Sequence, residues 1–104
     1  MYSIHIPEKV NFRIIENSFL ARIAAKKLSS SQMAMVIGKT IHLHNTSRSE
    51  FLADEKWLKH ELCHIRQYRK YGTVGFITRY LWESLQHGYF QNRFEDEARK
   101  AEEL

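Results

Sequence analysis

The chain has 104 residues, 43% of them hydrophobic and 27% charged, with a formal net charge of +4. That composition excludes wholesale disorder and suits one domain, 1–104, able to bury a core of its own. A single cysteine, Cys63, excludes an internal disulfide and fits a reducing, cytoplasmic setting, and no apolar run approaches the roughly 20 residues that span a bilayer.

The opening MYSIHIPEKVNF has no basic region followed by a long apolar run, so no secretory signal is expected. From Asn11 to Leu28 apolar residues recur at helical spacing. Phe12, Ile15, Phe19 and Ile23 form one stripe, and Asn11 is placed to cap it. In MAMVIGKTIHLHN two runs rich in β-branched residues flank Gly38-Lys39. They predict a hairpin of Met33 to Ile37 and Thr40 to His44. A long helix should then run from about Glu50 or Asp54 to Tyr71 and stop at Gly72, with Trp57, Leu58, Leu62, Ile65 and Tyr68 facing the core. A third helix is expected from about Thr73 to Gln86, ending near Gly88, and a charged fourth from about Arg93 onward. The fold expected is α+β: a small hairpin packed on about four helices. The basic residues Arg66, Arg69 and Lys70 fall on the long helix, where such side chains ordinarily face water.

The string His60-Glu61-Leu62-Cys63-His64 fits HExxH and lies inside that long helix. Residues four apart share one helix face, one turn apart, so both imidazoles can reach a single cation. Zinc favours such nitrogen ligands in tetrahedral geometry. Glu61 is badly placed to ligate the same ion but can reach a water beside it. Zn2+ makes that water more acidic, and the carboxylate takes its proton as the oxygen attacks a carbonyl. A catalytic zinc usually takes a third protein ligand. The predicted helix beginning Arg93-Phe94-Glu95-Asp96-Glu97 offers two candidates, Glu95 and Glu97.

HELCHIRQYRKYG, followed by FITRYLWESLQHGYFQNRFEDEARKAEE, resembles small bacterial zincin-like proteins of unknown function. These are related to the minigluzincins and to the zincin-like domain of contractile injection systems. The resemblance covers roughly residues 33 to 103, hairpin included. It implies a zincin-like fold and a gluzincin-type zinc metallopeptidase, with His60, His64 and Glu95 as ligands and Glu61 as the catalytic base. Gluzincins place the third ligand in Glu-x-x-Ala-Asp. Glu95 and Ala98 match that pattern, whereas Arg99 replaces the aspartate that buttresses a ligand histidine. Asp96, Glu102 or a backbone carbonyl is left to take that role. SprT-like proteins share a similar HExCH string but use a third histidine, which the acidic segment argues against.

Other residues read more plainly. Cys63 is expected to be a packed thiol, and Trp57 and Trp82 to belong to the core. His42 and His44 share one face of a strand and read as half-exposed strand residues. In zincins a nearby edge strand pairs with substrate backbone, and Thr40 to His44 resembles that strand. His87, Tyr89, Tyr68, Tyr71 and Tyr80 are candidates for stabilising an oxyanion, and Gln67, one turn beyond His64, for supporting a ligand. The expected partner is a peptide or protein substrate. The alternatives are a non-catalytic zinc domain held together by the same residues and, less favoured, a nucleic-acid module using Arg66, Arg69, Lys70 and Arg79.

Overall fold

The computed structural model describes residues 11–104. Most of the segment on which the expectation about a secretory signal rests, residues 1–10, lies outside them. The element order is β1 (Arg13–Ile15), α1 (Phe19–Lys27), β2 (Met33–Ile37), β3 (Thr40–His44), α2 (Arg48–Ala53), α3 (Glu55–Tyr71), α4 (Thr73–His87) and α5 (Arg93–Ala101). The fold of the described residues is α+β, with five helices and a three-stranded mixed sheet ordered β1-β3-β2.

The hairpin forms where the two β-branched runs predict it. Ile37 pairs with Thr40 across Gly38-Lys39, and Gly38 takes a positive φ of 64°. Glycine at that first turn position is the residue a type II′ connection requires. Alternation decides the faces: Ala34, Val36, Ile41 and Leu43 are buried, and Met33, Met35, Ile37, His42 and His44 are half-buried on the opposite face. The buried face packs on Phe51, Leu58, Leu62, Ile65, Tyr68, Phe76 and Phe94. Each large apolar side chain in that cluster contributes roughly 1.5–3 kcal/mol by leaving water. The opposite face meets α1, whose buried residues Ala21 and Ala25 are small enough to let helix and sheet approach closely.

The helix expected over Asn11 to Leu28 is corrected. Arg13–Ile15 is a strand, parallel to β3 with Ile14 opposite Ile41, and α1 begins only at Phe19. Two local features win over the apolar spacing. Asn17 adopts φ 52°, a conformation that breaks a helix, and Ser18 accepts the Ala21 N–H as the true cap. The stripe is therefore no core face: Phe19 is 70% exposed, whereas Phe12 packs against the core from outside the helix. The long helix is likewise divided in two. Ser47 and Glu50 form a reciprocal capping box that starts α2. Asp54 leaves the helical region at ψ 95° and accepts the Trp57 N–H at 3.1 Å to start α3. Among the described residues, five helices thus stand where about four were expected.

Gly72 ends α3 with φ 78°, and the chain turns directly into α4. Trp57 packs edge-on to Phe51 at 5.3 Å. Trp82 does not join the core as expected: it is 59% exposed, because the inward stripe of α4 is set by Phe76, Ile77 and Tyr80 instead. None of the described helices is long and apolar enough to cross a membrane.

Candidate metal centre

The middle of α3 brings His60 and His64 to one face, with ring centroids 5.0 Å apart. Opposite them stands Glu95, in the first turn of α5. His60 Nε2 lies 3.0 Å from Glu95 Oε1 and His64 Nε2 lies 3.2 Å from the same oxygen. All three ligand atoms fall within 4.8 Å of one another. Glu61 is buried beside them, with its charge coupled to both imidazoles.

The placement of Glu95 is set by Asn92, a fully buried residue. Its side-chain oxygen accepts the Phe94 N–H at 2.8 Å, capping α5, while its amide donates to the Tyr80 carbonyl and Ser84 Oγ of α4. The cap thereby ties the start of α5 to α4. The sequence reading passed over Asn92: asparagine is a common helix cap, but nothing in the sequence showed its grip on α4. Glu97 points elsewhere. It accepts the Gln67 amide at 2.6 Å, so it reaches His64 only through Gln67, whose Oε1 bonds His64 Nδ1. Of the two carboxylates the sequence offered, the structure brings only Glu95 to the histidines.

Each imidazole is held from behind. His60 Nδ1 donates to Glu102 at 2.7 Å, and His64 Nδ1 donates to Gln67 Oε1 at 2.8 Å. The Gln67 orientation follows from its amide nitrogen, which donates to the Phe94 carbonyl and to Glu97. Of the groups the sequence offered behind the histidines, Glu102 is the carboxylate that bonds His60, while the Arg99 guanidinium donates to the Phe90 carbonyl. With both Nδ1 atoms carrying protons, both Nε2 lone pairs face one carboxylate oxygen. Only a positive charge between them, a proton or a metal cation, relieves that crowding. The donor set of two neutral imidazoles and a carboxylate fits zinc.

The electrostatics follow the same geometry. Burial pulls the His60 imidazole down, but the hydrogen bonds with Glu95 and Glu102 and the charges of Glu61 and Glu95 outweigh it and raise it to about 9. His64 is raised against its own burial by the hydrogen bond with Glu95 and the charges of Glu61 and Glu95, with the Gln67 bond adding to them. Burial also opposes ionisation of Glu95, yet its bonds to His60, His64 and Tyr80 hold it well below the usual carboxylate range. Glu61 goes the other way, pushed up to about 7 by burial despite the nearby imidazoles. Tyr80 donates its hydroxyl to Glu95 Oε2 at 2.5 Å. It therefore orients the carboxylate and leaves Oε1 for the imidazoles.

The cluster forms part of the floor of a cleft of 610 Å³ between α4 on one side and α1 with β2 on the other. Here the strand assignment is corrected. Thr40 to His44 is the middle strand, paired on both sides, so among the described residues the edge strand beside the site is β2. Parallel pairing with β1, absent from the sequence reading, is what encloses β3. Tyr68 donates to the Val36 carbonyl at 3.0 Å from beneath that edge. Tyr89 is half-buried in the cleft wall, while His87 is exposed. Tyr71 packs on Phe94, away from the cleft. His42 Nδ1 bonds Ser18 Oγ at 2.8 Å beneath α1 and does not join a metal cluster with His44. Cys63 is buried, and its thiol is pushed up to about 11 chiefly by that burial, which leaves it a poor nucleophile. Among the basic residues, Arg79 and Lys70 lie over the Tyr71 ring at 4.6 and 5.3 Å. Arg66 and Lys70 border a groove that Asp96 and Glu97 also line, so its charge is mixed in sign.

No family model matches the chain, and the searches of curated proteins and of solved structures return no match.

Proposed function

We propose that this chain is a zinc-dependent metallopeptidase of gluzincin type on a zincin-like fold, with His60, His64 and Glu95 holding the ion and Glu61 as catalytic base. The observation that carries the reading is the convergence of three ligand atoms from α3 and α5 on one point, with a buried carboxylate beside them in an open cleft. Zinc bound there would supply Lewis acidity, polarising a carbonyl and making water a stronger acid. Glu61 lies next to that point, and burial keeps its proton affinity near neutrality. It takes the proton of the attacking water and returns it to the leaving amine. Among the described residues no strand covers the outer edge of β2, which runs along the cleft; apart from the Val36 carbonyl, taken by Tyr68, that edge offers backbone groups to an extended peptide. Tyr89, in the same wall, is the hydroxyl left to steady the developing oxyanion, since that of Tyr80 is engaged by Glu95.

Metal analysis with a peptide-cleavage assay tests the proposal. Purified protein should take up zinc at about one per chain. Unstructured polypeptide should be cleaved, with activity removed by a chelator and restored by zinc. A protein that binds zinc but cleaves nothing would leave a structural zinc domain. One that binds no zinc would end the proposal.

The supports behind the imidazoles give a graded expectation. Glu102→Ala and Gln67→Ala should each weaken zinc binding by about 10–100-fold, the usual cost of losing such a partner. Competition with a chromogenic chelator measures it, and unchanged affinity in both would show that the two bonds do not orient the ligands.

A further inference from the structure

The large apolar residues of α1 face away from the protein. Its buried residues are Ala21 and Ala25, whereas Phe19, Leu20 and Ile23 stand exposed, from 42% for Ile23 to 70% for Phe19. At about 100° per residue these three form one outward stripe, opposite the two alanines. Ile15 extends it. On β1 the neighbouring Ile14 packs on the core, so alternation turns the exposed Ile15 to the other face of the sheet, the one α1 covers. Cations border the stripe. Arg22 and Lys26 follow one flank of α1, Lys27 shares the other flank with Leu20, and Arg13 shares the face of Ile15. Between Asn11 and Gln32 these four cations stand against a single carboxylate, Glu16, which accepts the Arg48 backbone N–H. Among the described residues none of the four cationic side chains makes an ion pair.

We propose that this face docks on an anionic lipid bilayer, with α1 lying in the plane of the interface. Phe19, Leu20 and Ile23 sink among the headgroups, and the cations meet their negative charges. An apolar stripe with basic flanks is the make-up of a helix that rests on a membrane. The long stems of Arg22, Lys26 and Lys27 let their charges reach headgroups from beside the stripe. A lipid surface is favoured over a protein partner for two reasons. The unpaired cations are spread around the stripe, which suits diffuse negative charge rather than individual ion pairs. The apolar side chains also protrude from a convex face: a protein must offer each of them a matching pocket, whereas a bilayer receives them without one. Among the described residues no helix is long and apolar enough to cross a membrane, and docking in the plane needs none. The inference is independent of the metallopeptidase reading. The two meet at Lys27 and Leu28, which also line the cleft over the metal centre, so a docked α1 holds that cleft beside the membrane surface.

Flotation of the full-length protein with lipid vesicles tests the proposal. Vesicles of equal parts phosphatidylserine and phosphatidylcholine should bind it at least about tenfold more tightly than vesicles of phosphatidylcholine alone, since each basic residue at an anionic surface contributes about fivefold. Lys26→Ala with Lys27→Ala should therefore weaken binding about 25-fold. Phe19→Ser with Ile23→Ser should weaken it at least about tenfold through the lost apolar burial. Both positions are exposed enough to spare the fold, which circular dichroism confirms. Arg66→Ala with Lys70→Ala removes the same charge on the other side of the sheet and should cost about twofold or less. Absence of binding to the anionic vesicles would overturn the proposal. So would binding that ignores the Phe19 and Ile23 changes, or that falls equally with either pair of cations, because overall positive charge would then suffice. A dimer in sedimentation that Phe19→Ser with Ile23→Ser disperses, with no vesicle binding, would assign the stripe to a second copy and overturn it as well.

Discussion

Glu61→Gln should lower peptide hydrolysis by about 10²–10⁴-fold, the range a positioned general base contributes, while leaving bound zinc and fold in place. The amide has the same shape as the carboxylate but cannot take a proton from water at neutral pH. Glu61 is only 4% exposed and is pushed up to about 7 by that burial. Replacing it with a neutral group therefore removes a disfavoured charge, so in metal-free protein the variant should be at least as stable above pH 7. The sign is clear: a carboxyl raised from 4.5 to about 7 contributes most below pH 4.5, and that contribution is lost as pH rises through 7. Thermal unfolding with and without chelator, zinc analysis and a cleavage assay on one preparation of each protein measure all three effects. Full activity in the Gln variant would show that Glu61 is not the base. Equal zinc and no cleavage in either protein would favour a structural metal domain.

Glu95→Ala should weaken zinc binding by well over the roughly 100-fold upper cost of losing a supporting partner; Glu97→Ala should stay within that cost. The contrast follows from position. Glu95 Oε1 lies 3.0 and 3.2 Å from the two imidazole Nε2 atoms, whereas Glu97 reaches only Gln67. Without metal, the Glu95 variant has a second signature. His60 is raised from 6.5 to about 9 with Glu95 among the causes, so their attraction stabilises the fold fully below pH 6.5 and fades as pH rises through about 9. The stability gap between metal-free parent and Glu95→Ala should accordingly narrow from pH 6.5 to 9. Zinc loss on Glu97→Ala with retention on Glu95→Ala would reverse the ligand assignment.

Much of the local structure was legible before any coordinates. Alternation and the Gly38-Lys39 turn predict both strands of the hairpin, and Gly72 and Gly88 mark the ends of α3 and α4. The spacing of His60 and His64 puts two imidazoles on one helix face, because a helix repeats every 3.6 residues wherever it sits. Periodicity failed at the N-terminal segment for an equally local reason. Phe12 and Ile15 keep helical spacing with Phe19 and Ile23, but they belong to a strand and its approach, separated from α1 by Asn17 and Ser18.

What the sequence determined by itself is the content of single elements: which strand residues share a face, where α3 and α4 stop, and that two histidines and a glutamate travel together on one turn. Only the tertiary structure decided which distant groups meet that face. Glu95 and Glu97 are two residues apart and so point about 200° apart around α5. The packing of α5 on α3, anchored through Asn92 to α4, turns Glu95 inward and leaves Glu97 to Gln67. The same packing brings Glu102 to His60 across 42 residues of chain, and pairing of β3 with β1 leaves β2 at the edge of the sheet among the described residues. Spacing within an element is a property of a few neighbouring residues, whereas the choice of facing partner is made by the whole core as it closes.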